Sequence, residues 1–175
     1  MGYIIGAIIA FIIMWIISVQ RKLSILDENV NNAMSQIGVQ LASRFEALMA
    51  LLDLIKHYVG YESLDLVEST RAKRRMITAK SGSSDVMEQE RVIYDALERI
   101  AMMAEQYPEL QKDRDYAKYR NAVDCYEKML HTSWLIYNDS VTKFNRMIRV
   151  LPICLIAGLL GFRQRDYLEL GVNYL

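Results

Sequence analysis

The feature that most constrains this chain is an uncharged apolar run at its amino-terminal end. From Tyr3 to Val19 the sequence contains no charged residue and no proline. As a helix, this run of about 17 residues would extend ~25 Å, close to the minimum for crossing a bilayer core. We therefore predict a membrane-spanning helix. Its predicted lipid-facing residues are Tyr3, Ile4, Ile5, Ile8, Ile9, Phe11, Ile12, Ile13, Trp15, Ile16, Ile17 and Val19.

Two other interpretations of this run are less favoured. A secretory signal peptide would carry a basic segment before the run and a small-residue cleavage site after it, and the sequence has neither. A helix that is apolar on every face is either a core helix or a membrane span, and a core helix of this kind is rare at the very start of a chain. Arg21 and Lys22 follow the run, whereas no Lys or Arg precedes it. These two residues mark the predicted membrane boundary, and the positive-inside rule places the amino end outside and the body in the cytoplasm.

Composition excludes several classes for the rest of the chain. With 53% apolar and 24% charged residues, the chain is neither disordered nor collagen-like. Only 2 Pro and 8 Gly argue against a turn-rich β-sandwich or barrel. The 21 basic residues balance 21 acidic ones, so nothing indicates a nucleic-acid partner.

Two apolar ladders predict two long helices. Between Leu23 and Tyr58, apolar residues recur in steps of three and four: Val30, Met34, Ile37, Leu41, Leu48, Leu51, Ile55 and Tyr58. Near the other end they recur every seventh residue, as in helix bundles and coiled coils: Tyr116, Val123, Leu130, Tyr137, Phe144 and Leu151.

Two shorter helices are predicted between the ladders, at about 62–79 and 86–106. Ser81 to Ser84 separates them as a breaker, and Asp85 with Glu88 resembles an N-terminal cap of the second of these helices. Pro108 and Pro152 end helices. The prediction is an all-α fold in which the transmembrane helix precedes an antiparallel up-and-down four-helix bundle with long first and last helices. A three-rod alternative would join residues 62–106 into one bent helix.

This fold divides the chain into an anchor (1–22), a bundle (23–150) and a tail (151–175). The tail begins with an apolar stretch of about 12 residues, too short to span a membrane. Arginines flank the stretch on both sides, which suits the headgroup region of an anionic leaflet. The alternative is that this stretch packs on the bundle or on a neighbouring subunit. The candidate interfacial or oligomer-forming residues are Leu151, Ile153, Leu155, Ile156, Leu159, Leu160, Phe162, Arg163 and Arg165.

Charged and reactive residues indicate little chemistry. Arg71, Lys73, Arg74 and Arg75 form a candidate partner patch, although a solvated helix end is the simpler interpretation. Arg44 interrupts the first ladder, so it must pair with a carboxylate, reach water or face another chain.

Catalytic and metal-binding motifs are absent from the sequence. The two histidines and two cysteines have no metal-ligand spacing, and no phosphate-binding or nucleophile motif occurs. We expect no catalytic residue, no metal and no cofactor.

Three segments resemble the bacterial LemA family. Residues 32–41 with Arg44 are similar to its "NAWSQIDVQLKRR" segment, and residues 56–62 with 68–72 are similar to "KGYAxHE" and "VxxAR". Residues 137–152 are similar to "YNDAVxxYNxxIRxFP", and residues 155–167 continue as "NLIAxLFGF…Y". Met34 and Gly38 replace the family's Trp and Asp, and Met49 and Ala50 replace its Pro and Asn, so the first long helix should be straighter here.

The resemblance implies an amino-terminal membrane helix and a cytoplasmic helical bundle at the bacterial inner membrane, and it supplies no catalytic residue. We predict a single-pass, non-enzymatic scaffold that binds the lipid bilayer and forms a homo-oligomer. The alternatives are a tethered adaptor or sensor that recruits a protein partner, and, less favoured, an enzyme built on the bundle.

Overall fold

The computed structural model of this chain describes residues 2–169, without the side chains of residues 61 and 62. Its elements are α1 (Gly2–Val59), a 3-10 turn (Gly60–Ser63), α2 (Leu64–Ala72), α3 (Ser83–Gln106), α4 (Pro108–Lys112), α5 (Arg114–Arg149) and α6 (Ile153–Leu159). No strand occurs among the described residues, so the all-helical prediction is confirmed.

The predicted anchor and the first bundle helix form one continuous helix. α1 has 58 residues and therefore extends ~87 Å at the usual rise per residue. It passes the predicted boundary at Arg21 and Lys22 without a break, and it continues through Met49 and Ala50.

The core lies mainly between α1 and α5. Seven of the eight residues of the first ladder are buried, and Tyr58 is the exception at 40% exposure. On α5, Val123, Leu130, Tyr137 and Phe144 are buried as predicted. Leu151 does not continue this ladder, because α5 ends at Arg149 and Leu151 is 74% exposed. α2, α3 and α6 also contact α1.

The second predicted helix is shorter than the sequence indicated. α2 ends at Ala72, and most of the following stretch, residues 73–82, is non-helical. We call residues 73–82 the strap. Ile77 is buried there, and its carbonyl oxygen lies 2.3 Å from where a Cβ on Gly38 would be. The strap therefore crosses α1 in direct contact with it, a tertiary contact that no local pattern predicts.

The third helix begins earlier than predicted. α3 starts at Ser83, with Gly82 as its N-cap residue. Asp85 is thus not the N-cap, and its carboxylate instead accepts a hydrogen bond from the Gly82 N–H at 3.0 Å. Pro108 follows the end of α3 and begins α4, where its missing N–H costs nothing. The gap between α2 and α3 excludes the single bent helix of the three-rod alternative.

Candidate functional site

The first turns of α1 present apolar side chains that the rest of the described chain leaves largely uncovered. Residues 2–18 are exposed apart from the half-buried Ile16, and Tyr3 is 97% exposed. Among the described residues, α1 is the one helix long and apolar enough to span a membrane. Val19 differs from the other predicted lipid-facing residues, because it is buried with Leu23 in the core of the bundle.

A stripe of small residues runs along this exposed part of α1, and the sequence analysis missed it. Gly2, Gly6 and Ala10 recur every fourth residue and share one helix face. A Cβ added at Gly2 or Gly6 would meet no atom within 4 Å. Small residues at this spacing let two membrane helices approach closely, so the spacing alone could have revealed the stripe.

The predicted membrane boundary coincides with a change in burial. Arg21 and Lys22 are exposed, and Leu23, the next residue, is completely buried. The uncovered segment therefore ends within two or three residues of the predicted basic boundary.

α6 has two distinct faces. Its inner face belongs to the core: Ala157 is buried, Ile153 and Ile156 pack against it, and Phe162 meets Phe144 edge-on at 6.2 Å between ring centroids. Its outer face is exposed at Leu155 (65%) and Leu159 (88%), and the leucines that flank the helix, Leu151 (74%) and Leu160 (40%), are exposed as well. The predicted tail residues are thus divided between a packed face and an uncovered one.

Hydrogen bonds from α5 hold the chain after α6. The Asn145 side chain accepts from the Arg165 N–H at 2.9 Å and donates to the Arg165 carbonyl at 2.8 Å. Asn138, seven residues earlier, binds the backbone of Leu168 in the same way at 2.9 and 2.8 Å. We call these two asparagines the tail clamp. Both residues lie in the segment 137–152 that resembles the family, and the resemblance assigned them no such role.

Two further contacts support the clamped segment. The Tyr137 hydroxyl donates to the carbonyl of Asp166 at 3.0 Å, and burial raises the pKa of this phenol. Arg165 pairs with Asp27 of α1 at 2.8 Å, so it is not available to an outside partner, whereas Arg163 is exposed.

The basic patch is largely engaged within the chain. Arg74 pairs with Glu46 at 3.1 Å and lies over the Phe45 ring. Arg75 pairs with Asp85 at 3.4 Å, and Arg71 approaches Asp53 at 3.7 Å. Lys73 is exposed and forms no ion pair among the described residues. The arginines therefore tie α2 and the strap to α1 and α3, and Lys73 is the patch residue left free.

Arg44 pairs with carboxylates, which was one of its predicted alternatives. It is 4% exposed and contacts Glu90 at 2.7 Å and Glu127 at 3.0 Å. Burial raises the pKa of Glu90, and the neighbouring Arg44 only partly opposes this shift. The ion pair links α1, α3 and α5 across the core.

The opposite end of α1 has a polar contact without catalytic geometry. The Tyr58 hydroxyl donates to Asp113, the N-cap residue of α5, and this hydrogen bond raises the pKa of Tyr58 and lowers that of Asp113. His57 and His131 are exposed, and both cysteines are free thiols. Within the described part of the chain, no three His, Cys, Asp or Glu side chains are grouped so as to hold a metal ion.

Comparisons with known proteins assign the chain to a family. No curated protein matches it significantly. The model of the LemA family matches residues 33–173, which is most of the chain and includes the tail clamp, the strap and α6. The chain therefore belongs to the LemA family.

Proposed function

We propose that this protein is a membrane-anchored, non-enzymatic helical scaffold that self-associates into a homo-oligomer. Its place is the bacterial inner membrane, with the amino end outside and the body in the cytoplasm. The observation that carries the proposal is the continuity of α1, in which an uncovered apolar segment passes directly into the core of the bundle. Such a helix transmits the position of the anchor rigidly to the body.

We also propose that the body is an up-and-down bundle whose two long helices run antiparallel. Three side-chain contacts support this arrangement: Tyr58 with Asp113, Arg44 with Glu127, and Asp27 with Arg165. From residue 27 through 44 to 58 along α1, the contacting residues run backwards from 165 through 127 to 113, as they do when two chains are antiparallel. In this arrangement, α6 and the last turn of α5 lie beside the point where α1 leaves the membrane.

The small-residue stripe supports self-association through the anchor. Helices in lipid associate by close packing rather than by the hydrophobic effect, and small residues at a spacing of four permit that packing. No described residue places an atom within 4 Å of a Cβ on Gly6, so this face is available to a second copy.

The mass of the complete protein, extracted in native-lipid discs, tests the scaffold proposal. We expect particles with several copies. Gly6→Ile should reduce the copy number, because the larger side chain separates the helices. Ala7→Ile is the matched control, since it adds an aliphatic side chain about 100° further around α1. A single copy per disc, or equal effects of both changes, would contradict self-association through this stripe.

A tethered adaptor is the second candidate, and one surface favours it. A groove of about 360 Å³ between the strap and α3 is lined by four basic residues and two acidic ones: Lys73, Arg74, Arg75, Arg91, Glu88 and Asp95. Met76, which follows Arg75 in the strap, is 88% exposed. A partner with an acidic and apolar segment would fit this surface.

Crosslinking in intact membranes tests the adaptor. Lys73→Glu should abolish crosslinks to a defined partner without lowering the thermal midpoint, because Lys73 has no ion pair to lose within the described chain. Lys112→Glu, an exposed lysine outside the groove, is the control. If the Lys73→Glu variant forms the same crosslinks as the unchanged protein, the adaptor proposal is contradicted.

A further inference from the structure

We propose that α6 is a second membrane contact, in which its outer leucine face lies in the headgroup and acyl boundary of an anionic leaflet. We call the exposed leucines of this face and of its two flanks the leucine ridge; they are Leu151, Leu155, Leu159 and Leu160. The inference rests on the membrane anchoring in the proposed function, but not on self-association.

The ridge has the geometry of an interfacial helix. Leu155 and Leu159 are spaced by four residues and therefore lie on one side of α6, while Leu151 and Leu160 flank its two ends and are also exposed. Leu159 is 88% exposed, although the opposite face of α6 is packed against the core. Exposing three large aliphatic side chains to water is unfavourable in free energy, and burying them at the lipid boundary would remove this unfavourable contribution.

The position of α6 along α1 matches the end of the membrane span. α6 packs against α1, and the chain just after it is fixed to Asp27 through Arg165. On the α1 side, Val19 and Leu23 are the first buried residues after the uncovered segment. Only ~12 Å separates Val19 from Asp27 along the helix axis, so the ridge lies close to the level of Arg21 and Lys22.

Charge around the ridge favours a lipid surface over a second copy. Arg146, Arg149 and Arg163 are exposed beside it, and no acidic residue occurs between Asn145 and Arg165. These cations attract anionic headgroups within a Debye length. In a symmetric contact between two copies, the same arginines would face each other and repel.

The tail clamp makes the ridge a fixed surface. Asn145 binds the backbone of Arg165, and Phe162 packs on Phe144. The chain after the ridge is therefore held by α5, the helix that also precedes the ridge, and the leucines are preoriented toward one side of the body.

Site-directed spin labelling of the complete protein in vesicles containing phosphatidylglycerol tests the inference. Cys125→Ser and Cys154→Ala remove the native thiols, and Leu159→Cys introduces the label on the ridge. Ile9→Cys labels the anchor, and Val39→Cys labels an exposed apolar position on the bundle, 62% exposed. Collisions with oxygen report lipid, and collisions with a water-soluble nickel chelate report water.

At Leu159 we expect high oxygen and low nickel accessibility. The label at Leu159 should lie at a smaller depth in the bilayer than the label at Ile9, whereas the label at Val39 should be accessible to nickel. Nickel accessibility at Leu159 equal to that at Val39 would overturn the inference and leave the anchor intact. Low accessibility to both reagents would mean that protein covers the ridge, which also overturns it. Nickel accessibility at Ile9 would overturn the anchoring itself.

A second measurement separates lipid contact from a change in folding. Replacing phosphatidylglycerol by phosphatidylcholine should raise nickel accessibility at Leu159 and leave that at Ile9 unchanged, because only the ridge depends on the flanking arginines. An unchanged value at Leu159 would contradict the role of those arginines.

Discussion

The two parts of α1 form the same backbone structure for different surroundings. Residues 2–18 are apolar on every side and almost wholly exposed, whereas from Val19 to Val59 most apolar residues form one stripe that is buried mainly against α5. A helix that is apolar all round needs lipid or protein on every face, while a striped helix needs a partner on one. The change between the two occurs near Arg21 and Lys22, with no break in the helix.

The largest expected effect concerns the one charge in the buried stripe. Arg44→Ala would leave Glu90, whose side chain is 13% exposed, without its closest partner. Removing one member of a buried ion pair typically costs ~3–5 kcal/mol of folding free energy. Denaturant unfolding in detergent measures this loss. Glu127→Gln, at a 52% exposed side chain, is the control and should cost far less. A loss for Arg44→Ala no larger than that of the control would contradict the buried pair.

A leucine truncation contrasts the two parts of α1 directly. Leu48 is completely buried, so Leu48→Ala should lower the unfolding free energy by about 2–5 kcal/mol through lost burial and the cavity that remains. Ile9→Ala removes a similar side chain from the uncovered part and should not change the unfolding of the bundle. If both variants unfold at the same denaturant concentration, the two parts do not differ as described.

The contact between Gly38 and the strap gives a smaller effect. A Cβ at Gly38 would lie 2.3 Å from the Ile77 carbonyl oxygen, so Gly38→Ala should displace the strap and cost roughly 1–3 kcal/mol. Hydrogen exchange of residues 73–82 should increase in this variant. Gly158→Ala is the control, because a Cβ there meets nothing within 4 Å. Equal protection of the strap in both variants would exclude a close crossing.

The smallest effect is a pH dependence from Glu90. Burial raises its pKa in the folded protein, so the folded state holds a proton that the unfolded state releases. Stability should therefore fall as pH rises from the ordinary pKa of glutamate through the raised folded value. Glu90→Gln should remove this slope, whereas Glu127→Gln should retain it. Unfolding at a series of pH values measures both, and a slope that persists in Glu90→Gln would assign it to another group.

Much of the fold follows from periodicity. The first ladder predicted the buried side of α1, because a step of three or four residues returns to the same helix face whatever the partner. The ladder of α5 was correct up to Phe144 and wrong at Leu151, since a seven-residue pattern does not state where the helix ends.

Other features depend on contacts between distant segments. The strap was predicted as helix to residue 79, but its Ile77 packs on Gly38, which lies on another helix and far away in sequence. Asp85 was assigned as the N-cap, and a shift of the helix start to Ser83 changed which backbone N–H it binds. Local propensity cannot choose between such alternatives when they differ by one hydrogen bond.

The sequence by itself determined the helical class, the uncharged apolar segment with the basic pair that follows it, and the family, because each depends on composition and spacing within one segment. Only the tertiary structure decided which tail residues are packed and which are exposed. It also showed that Asn138 and Asn145 clamp the tail and that Arg44 is neutralised across three helices. The physical reason is that burial and ion pairing depend on surfaces that folding brings together. The sequence around an apolar or charged residue does not indicate which distant surface will cover it.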